Sequence, residues 1–207
     1  ATEHIPNSIE ISNYRYFERH KCSPRLLYVR AFHEIYNAEM AIKVLYHLGK
    51  KYSNAHLCMV GKDRDGTRYK CEKLAKELNI FDKVNFTGFL SKEEWITLSS
   101  NYDIFINPTN FDNMPISVLE AMALGMPIVT TNAGGLKYML EHKHNTLFCN
   151  INDTEKMLQN IELLIDNRDL ARMLSINSRK FAEKLSKDKV GFIWEEKISS
   201  LLNSSQT

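Results

Sequence analysis

The chain has 207 residues, 43% of them hydrophobic and 25% charged, which suits one domain with a buried core and argues against wholesale disorder. Its 27 Lys and Arg against 25 Asp and Glu leave a net charge of +2, too small for nucleic acid to be the main partner, because phosphate backbones call for a basic face. No apolar run reaches the roughly 18 residues a transmembrane helix needs, and the opening Ala-Thr-Glu-His-Ile-Pro has no basic or apolar leader region and no initiator Met.

Short apolar runs alternate with helical stretches. Leu26-Leu27-Tyr28-Val29 has strand length, and Ala41, Val44, Leu45 and Leu48 follow at helical spacing, with Gly49 expected to weaken the helix end. His56-Leu57-Cys58-Met59-Val60 reads as a second strand, stopped by Gly61. Residues 69–78 read as a helix with Leu74, Ala75 and Leu78 on one face, and Val84-Asn85-Phe86-Thr87 as a short strand before Gly88. Ser91-Lys92-Glu93-Glu94 has the form of a capping box and opens a helix through Trp95 and Leu98. Ile104-Phe105-Ile106 is a fourth strand ended by Pro108, and a helix from about Pro115 closes at Gly125. Pro127-Ile128-Val129-Thr130 is a fifth strand and Thr146-Leu147-Phe148-Cys149 a weaker sixth.

The tail is helical. Met157, Leu158, Ile161, Leu164 and Ile165 form one apolar stripe, and Leu170, Met173, Leu174, Phe181 and Leu185 another. In the last segment Val190, Phe192, Ile193, Trp194, Ile198, Leu201 and Leu202 cover a wide arc. That segment either packs tightly on this domain or also faces something outside the chain.

This alternation implies right-handed crossovers and a parallel sheet covered on both faces, a doubly wound, Rossmann-like α/β domain of about six strands with C-terminal helices. Such sheets bind ligands at the carboxyl ends of their strands. Cys22, Cys58, Cys71 and Cys149 include no Cys-x-x-Cys pair and read as buried free thiols of a reducing compartment. His142 and His144, two residues apart, read as solvated loop residues rather than metal ligands.

The stretch 110–127 is the most informative. Ile116, Val118, Leu119, Ala121, Met122, Ala123 and Leu124 cover nearly the whole circumference of a helix, so the helix is buried, and Asn113, Ser117 and Glu120 form its one polar stripe. A buried carboxylate at Glu120 needs a partner, either a sugar or ribose diol or a basic residue of the same domain. Asp112 reads as a helix N-cap with Pro115 in the first turn, and backbone N–H groups around Asn113, Met114 and Pro115 suit either a phosphate or simple capping. Arg30, at the end of the first strand, suits a diphosphate or pairs with Glu34. Lys62 follows the second strand as a weaker candidate, and Gly134-Gly135 permits close backbone approach to a ligand or a tight turn. No P-loop, Ser-His-Asp set or metal cage is present in the sequence.

Asp112, seven residues, then Glu120-Ala121-Met122-Ala123-Leu124-Gly125-Met126-Pro127-Ile128-Val129 resembles the signature of the retaining glycosyltransferases of family four, which have the GT-B fold. Ile5-Pro6-Asn7-Ser8-Ile9, the run 26–30, the run 84–90 and Gly134-Gly135 are similar to further segments of that family's second domain. The resemblance implies that Glu120 binds the ribose hydroxyls and that Asp112 holds the donor sugar. It implies that Gly88, Phe89 and Leu90 lie against the base, and that the stretch Asn113, Met114, Pro115, Ile116 and Ser117, with Gly134, meets the sugar and diphosphate. Arg30 would stabilise the departing nucleoside diphosphate, with no metal or other cofactor.

The sequence departs from the family where Asp112 replaces a usual Glu, where Val29-Arg30-Ala31 replaces Gly-Arg, where Ile35-Tyr36-Asn37 occupies the place of a second basic ligand, and where Lys137 and Tyr138 replace an acidic residue. The resemblance implies one donor domain over 1–207, cut from a longer cytoplasmic protein of polysaccharide biosynthesis. The N-terminal acceptor domain is absent from the chain, any membrane association would come through that domain, and the fragment alone would be inactive. The partner expected is a nucleoside-diphosphate sugar whose hexosyl group passes to a sugar or lipid-linked acceptor. A non-catalytic nucleotide-binding module and a GT-B sugar-nucleotide epimerase remain open beside it.

Overall fold

The computed structural model describes residues 5–204; the opening Ala-Thr-Glu-His lies outside the described residues. Six parallel strands form one sheet: β1 (Arg25–Val29), β2 (His56–Val60), β3 (Val84–Gly88), β4 (Ile104–Asn107), β5 (Ile128–Thr131) and β6 (Leu147–Cys149), in the spatial order β3-β2-β1-β4-β5-β6. Between them run α1 (Ala38–Lys51), α2 (Thr67–Glu77), α3 (Lys92–Ser99), α4 (Ile116–Ala123) and the short α5 (Leu136–Met139). After β6 come α6 (Thr154–Asp166), α7 (Arg168–Lys184) and α8 (Lys187–Ser204).

The strands are continuous apolar runs because both faces of the sheet are covered. Side chains alternate between the two faces. Leu26 and Tyr28 enter one core with α1, α2 and α6, whereas Leu27 enters the other with α3, α4 and α5. Helix α7 bridges them, placing Leu174 in the first core and Ala182 in the second. The edge strand β3 is the exception, with Asn85 in solvent.

Several local expectations change. Helix α1 runs on through Gly49 to Lys51, two residues beyond the glycine. Asp112 caps no helix: Pro115 occupies the N-cap of α4, without a side-chain cap. Asn113 lies in the loop before α4, so only Ser117 and Glu120 of the polar stripe sit on the helix. On α7 Met173 is exposed although Leu174 is buried. On α8 Val190 is buried, but Phe192, Ile193, Trp194 and Ile198 face solvent, which rules out tight packing of the whole segment on this domain. All four cysteines are buried and free, as the spacing suggested.

Candidate functional site

The strand order reverses between β1 and β4, so the segments leaving these two neighbours diverge to opposite sides and open a crevice at the carboxyl edge. Arg30 leaves β1 and the loop 108–114 leaves β4 at this point. The two loops are tied together: Asn110 N donates to Ile35 O at 2.8 Å, and Thr109 Oγ1 donates to the same carbonyl at 3.3 Å. Across the crevice Arg30 Nη2 lies 2.7 Å from Asp112 Oδ2. The expected alternative partner Glu34 is not used; the topology brings in Asp112 instead.

Arg30 is held from its other side by Tyr36, with the guanidinium carbon 4.2 Å from the ring centroid. Tyr36 stands where the family pattern has a second basic ligand, and it supplies a face for Arg30 rather than a charge. Burial pushes the Asp112 carboxyl above its ordinary value despite the opposing pull of Arg30. Arg30 Nε, Asp112 Oδ2 and Ser117 Oγ are buried without a hydrogen-bond partner, and Thr67 Oγ1 is the one other such atom among the described residues. The Arg30–Asp112 contact is therefore an ion pair approached off the N–H direction. A buried polar atom with no partner costs about 1–3 kcal/mol; Arg30 Nε and Ser117 Oγ are such atoms at this crevice, whereas Asp112 Oδ2 is offset by its ion pair.

The glycine pair explains how the Asp112 loop is seated. Gly135 N donates to Asp112 O at 2.8 Å. A Cβ at Gly134 would collide with the Asp112 carbonyl and one at Gly135 with that of Asn113, and Gly134 has φ +55. The close approach these glycines permit is thus to the chain's own 112–113 backbone. Beside the pair, Phe111, Asn113, Met114, Tyr138, Met139 and Phe181 line an apolar cavity of about 730 Å³.

A second cavity, of about 340 Å³, lies over the ends of β1, β2 and β3, and its lining includes Arg30, Lys62, Arg64, Phe89, Leu90 and Lys92. Gly61 N donates to Gly88 O at 2.8 Å and fixes the β3 loop against β2. Phe89 is exposed at the rim. Four cations therefore surround one small cavity in a chain of net charge +2.

Glu120 is 5% exposed. Tyr14 Oη donates to its Oε1 at 2.7 Å, and Lys92 Nζ lies 3.0 Å from the same oxygen. The basic partner from the same domain exists, and it leaves Oε2 without a protein partner among the described residues. At the start of α4, Val118 N and Leu119 N both turn back to Pro115 O. The Ile116 and Ser117 N–H groups precede them, in the first turn where helical N–H groups lack intrahelical partners. The crevice thus offers one carboxylate oxygen, several cations and a helix N-terminus within one region.

The family model described as "Glycosyl transferases group 1" matches residues 15–181. The chain belongs to that family. An uncharacterized glycosyltransferase of Haemophilus influenzae is 36% identical over 155 residues, 74% of this chain and 43% of the relative. Sucrose-phosphate synthase from Thermosynechococcus elongatus superposes with a TM-score of 0.85 at 20% identity, over 97% of this chain and 52% of that one. HepE from Anabaena, solved in complex with UDP, gives 0.82 at 17% identity, over 95% and 57%. The chain spans less than half of its Haemophilus relative and little more than half of these two structures. Its Rossmann-like sheet is that of its GT-B structural neighbours.

For this member of the glycosyl transferases group 1 family, sequence reasoning brought Arg30, Asp112, Ser117 and Glu120 to one crevice, with Lys62, Phe89 and Leu90 at its β2–β3 side. It missed Tyr14, Tyr36, Arg64 and Lys92. Lys92 carried a usable signal, since it is the first residue of the helix that follows the 88–90 loop. Tyr14 carried none, being 106 residues from its partner in a segment without periodicity.

Proposed function

We propose that this chain is the donor nucleotide-sugar-binding half of a retaining glycosyltransferase. The complete protein would move a hexosyl group from a nucleoside-diphosphate sugar to a sugar or lipid-linked acceptor, with the acceptor domain outside this chain. The observation that carries the reading is the concentration of buried, unpaired polar atoms on Arg30, Asp112 and Ser117 beside a cation-lined cavity at the switch point. The UDP bound to HepE supports a nucleoside diphosphate as the ligand class.

In this reading the base lies against Gly88, Phe89 and Leu90, and Glu120 accepts from the ribose hydroxyls. Arg30, Lys62 and the N-terminal turn of α4 from Pro115 to Ser117 take up the diphosphate charge that grows as the glycosidic bond breaks. Asp112, with Asn113, Met114 and the backbone at Gly134, holds the sugar. The cations serve the role a metal would otherwise fill, and no metal or other cofactor is part of the proposal. The exposed apolar face of α8 is covered by the remainder of the protein, which also supplies acceptor binding and any membrane association. Among the described residues no helix is long and apolar enough to cross a membrane; a cytoplasmic location is proposed because buried free thiols suit a reducing compartment.

Titration calorimetry with UDP-, GDP- and ADP-sugars tests the reading. Heat from at least one, lost on Glu120→Ala, is the expected result; silence with all three refutes it. A non-catalytic module is the second reading, favoured by the uncharged Ile35 and Tyr36 where a second basic ligand was looked for. Transfer by the full-length protein that survives both Arg30→Ala and Asp112→Ala would establish that alternative.

A further inference from the structure

We propose that Tyr14 is a positioning residue which, with Lys92, occupies one oxygen of Glu120 and so dictates that a ribose diol is read by the other oxygen. The inference rests on the donor-binding reading above and concerns how that site discriminates its ligand.

Tyr14 is 2% exposed and belongs to the segment that precedes β1. Its hydroxyl has one partner, Glu120 Oε1 at 2.7 Å. Lys92 Nζ reaches the same atom at 3.0 Å from the first turn of α3, with its side chain half in solvent. The terminal torsion of a glutamate is broad and nearly two-fold, so a carboxylate without such contacts would present either oxygen, or both obliquely. Here Oε1 has one hydrogen-bond donor, Tyr14 at the floor, and one ion-pair partner, Lys92 at the rim. Both contacts fall on Oε1, and a carboxylate oxygen accepts about two hydrogen bonds, which leaves Oε2 to take both hydroxyl hydrogens of a diol.

The floor donor is itself braced. Arg179 Nη1 donates to Tyr14 O at 2.8 Å and to Ala123 O at 2.8 Å, tying the segment that carries Tyr14 to the end of the helix that carries Glu120. Burial first, and the adjacent Glu120 carboxylate second, push the Tyr14 phenol well above its ordinary value, so it stays a donor throughout the working pH range. Phenylalanine would fill the same volume without donating. Every cost of Tyr14→Phe in ligand discrimination is then a cost of lost orientation.

The test is titration of the protein with UDP, GDP and ADP, then of the tightest of the three against its 2′-deoxy and 3′-deoxy forms. The wild type should prefer the full ribose by tenfold or more. Tyr14→Phe should narrow that preference by about fivefold, and Lys92→Met should narrow it in the same direction. Glu120→Ala should abolish it, and in that background Tyr14→Phe should change nothing further. A Tyr14→Phe protein that loses affinity equally for ribose and deoxyribose forms has a merely structural Tyr14, and the proposal is overturned while the donor site stands. An unchanged preference in both Tyr14→Phe and Lys92→Met overturns it in the same way. Absence of binding by the wild type overturns the donor-site reading and this proposal together. If Tyr14→Phe does not fold, judged by near-ultraviolet circular dichroism, Lys92→Met alone decides, since its side chain is half exposed and an unbranched Met fills much of the same volume.

Discussion

Arg30 and Asp112 lie 82 positions apart in the sequence and 2.7 Å apart in the fold, joined across the point where the strand order reverses. Each is the other's charged partner, yet the Asp112 oxygen in the pair accepts no hydrogen bond, and Arg30 Nε is buried without one. A ligand that brought negative charge to Arg30 and hydroxyl groups to Asp112 would replace this one ion pair with several charge-assisted hydrogen bonds. The pair therefore holds both side chains in place at small net benefit, because buried ion pairs contribute little beyond their desolvation cost.

Separate roles predict separable defects. Arg30→Ala should lower nucleoside diphosphate affinity by roughly tenfold or more, the worth of one charged hydrogen bond. Asp112→Asn should leave that affinity equal or slightly higher, since it frees Arg30, while transfer by the complete enzyme falls at least a hundredfold. Calorimetric affinity beside turnover number measures both. Equal loss of affinity in the two variants would contradict the division of labour.

Burial raises the Asp112 carboxyl from its ordinary value near 3.8. The folded state therefore binds more protons than the unfolded chain above that pH. The stabilisation tied to this group is full below the unfolded value and is lost as pH rises through the raised folded value. Asp112→Asn removes the dependence. The stability of the Asn variant relative to wild type should therefore increase between pH 4 and pH 7, by at most about 1.4 kcal/mol per pH unit. Urea unfolding at several pH values in that window gives the difference directly. A relative stability that falls with pH would show that the Arg30 contact, not burial, governs this carboxyl.

The glycines separate by the same kind of test. Gly134→Ala combines a positive φ with a collision against the Asp112 carbonyl and should destabilise by about 2 kcal/mol or more. Gly135→Ala, at an ordinary φ of −77, should suffer from the collision with Asn113 alone. Gly49→Ala is the opposite case: open space in a helix interior predicts a gain of about 0.5–1 kcal/mol. Thermal or denaturant unfolding of the three variants should rank them in that order. A stabilised Gly134→Ala protein would mean that the 112–113 loop can move away without cost.

The strands other than β3 were legible because they are largely apolar runs, the signature of a sheet covered twice, and α4 was legible because its apolar residues go nearly all the way round. Arg30 was legible as a strand-end cation, but its partner was not. Local spacing pointed to Glu34, whereas strand order, which no local pattern encodes, delivered Asp112. Asp112 itself looked like a cap because Asp before Pro has that form, yet the loop continues two residues further under the hold of Gly135 N. Tyr14 and Lys92 meet at Glu120 only because α3, α4 and the segment before β1 are packed in one core. The wide apolar arc of α8 said that something must cover it and could not say what.

The cysteines give a prediction about chemistry rather than stability. Burial pushes the thiols of Cys22, Cys71 and Cys149 up to about 12, and that of Cys58 upward as well. A thiol reagent acts on the thiolate. At pH 8 the native protein should therefore react slowly at all four, and the unfolded protein should release four equivalents within minutes. Rapid modification of one thiol in the native state would identify a local opening at that strand or helix.

Trp194 and Trp95 form a natural contrast, since Trp194 is 51% exposed on α8 whereas Trp95 is 4% exposed in the core. Acrylamide should quench the emission of this chain in two populations, and Trp194→Gln should remove the accessible one. Because Phe192 and Trp194 contribute little buried area here, replacing both with polar residues should shift the stability of the chain by no more than about 0.5 kcal/mol. Val190→Ala, by contrast, should cost about 1.5 kcal/mol, the worth of two buried methylene-sized groups. If the rest of the protein covers this face, the ordering reverses in the full-length molecule. There the Trp194→Gln change should cost more than Val190→Ala, and wild-type Trp194 should be shielded from acrylamide. Full-length protein in which Trp194 remains quenchable would refute the proposal that this face is covered.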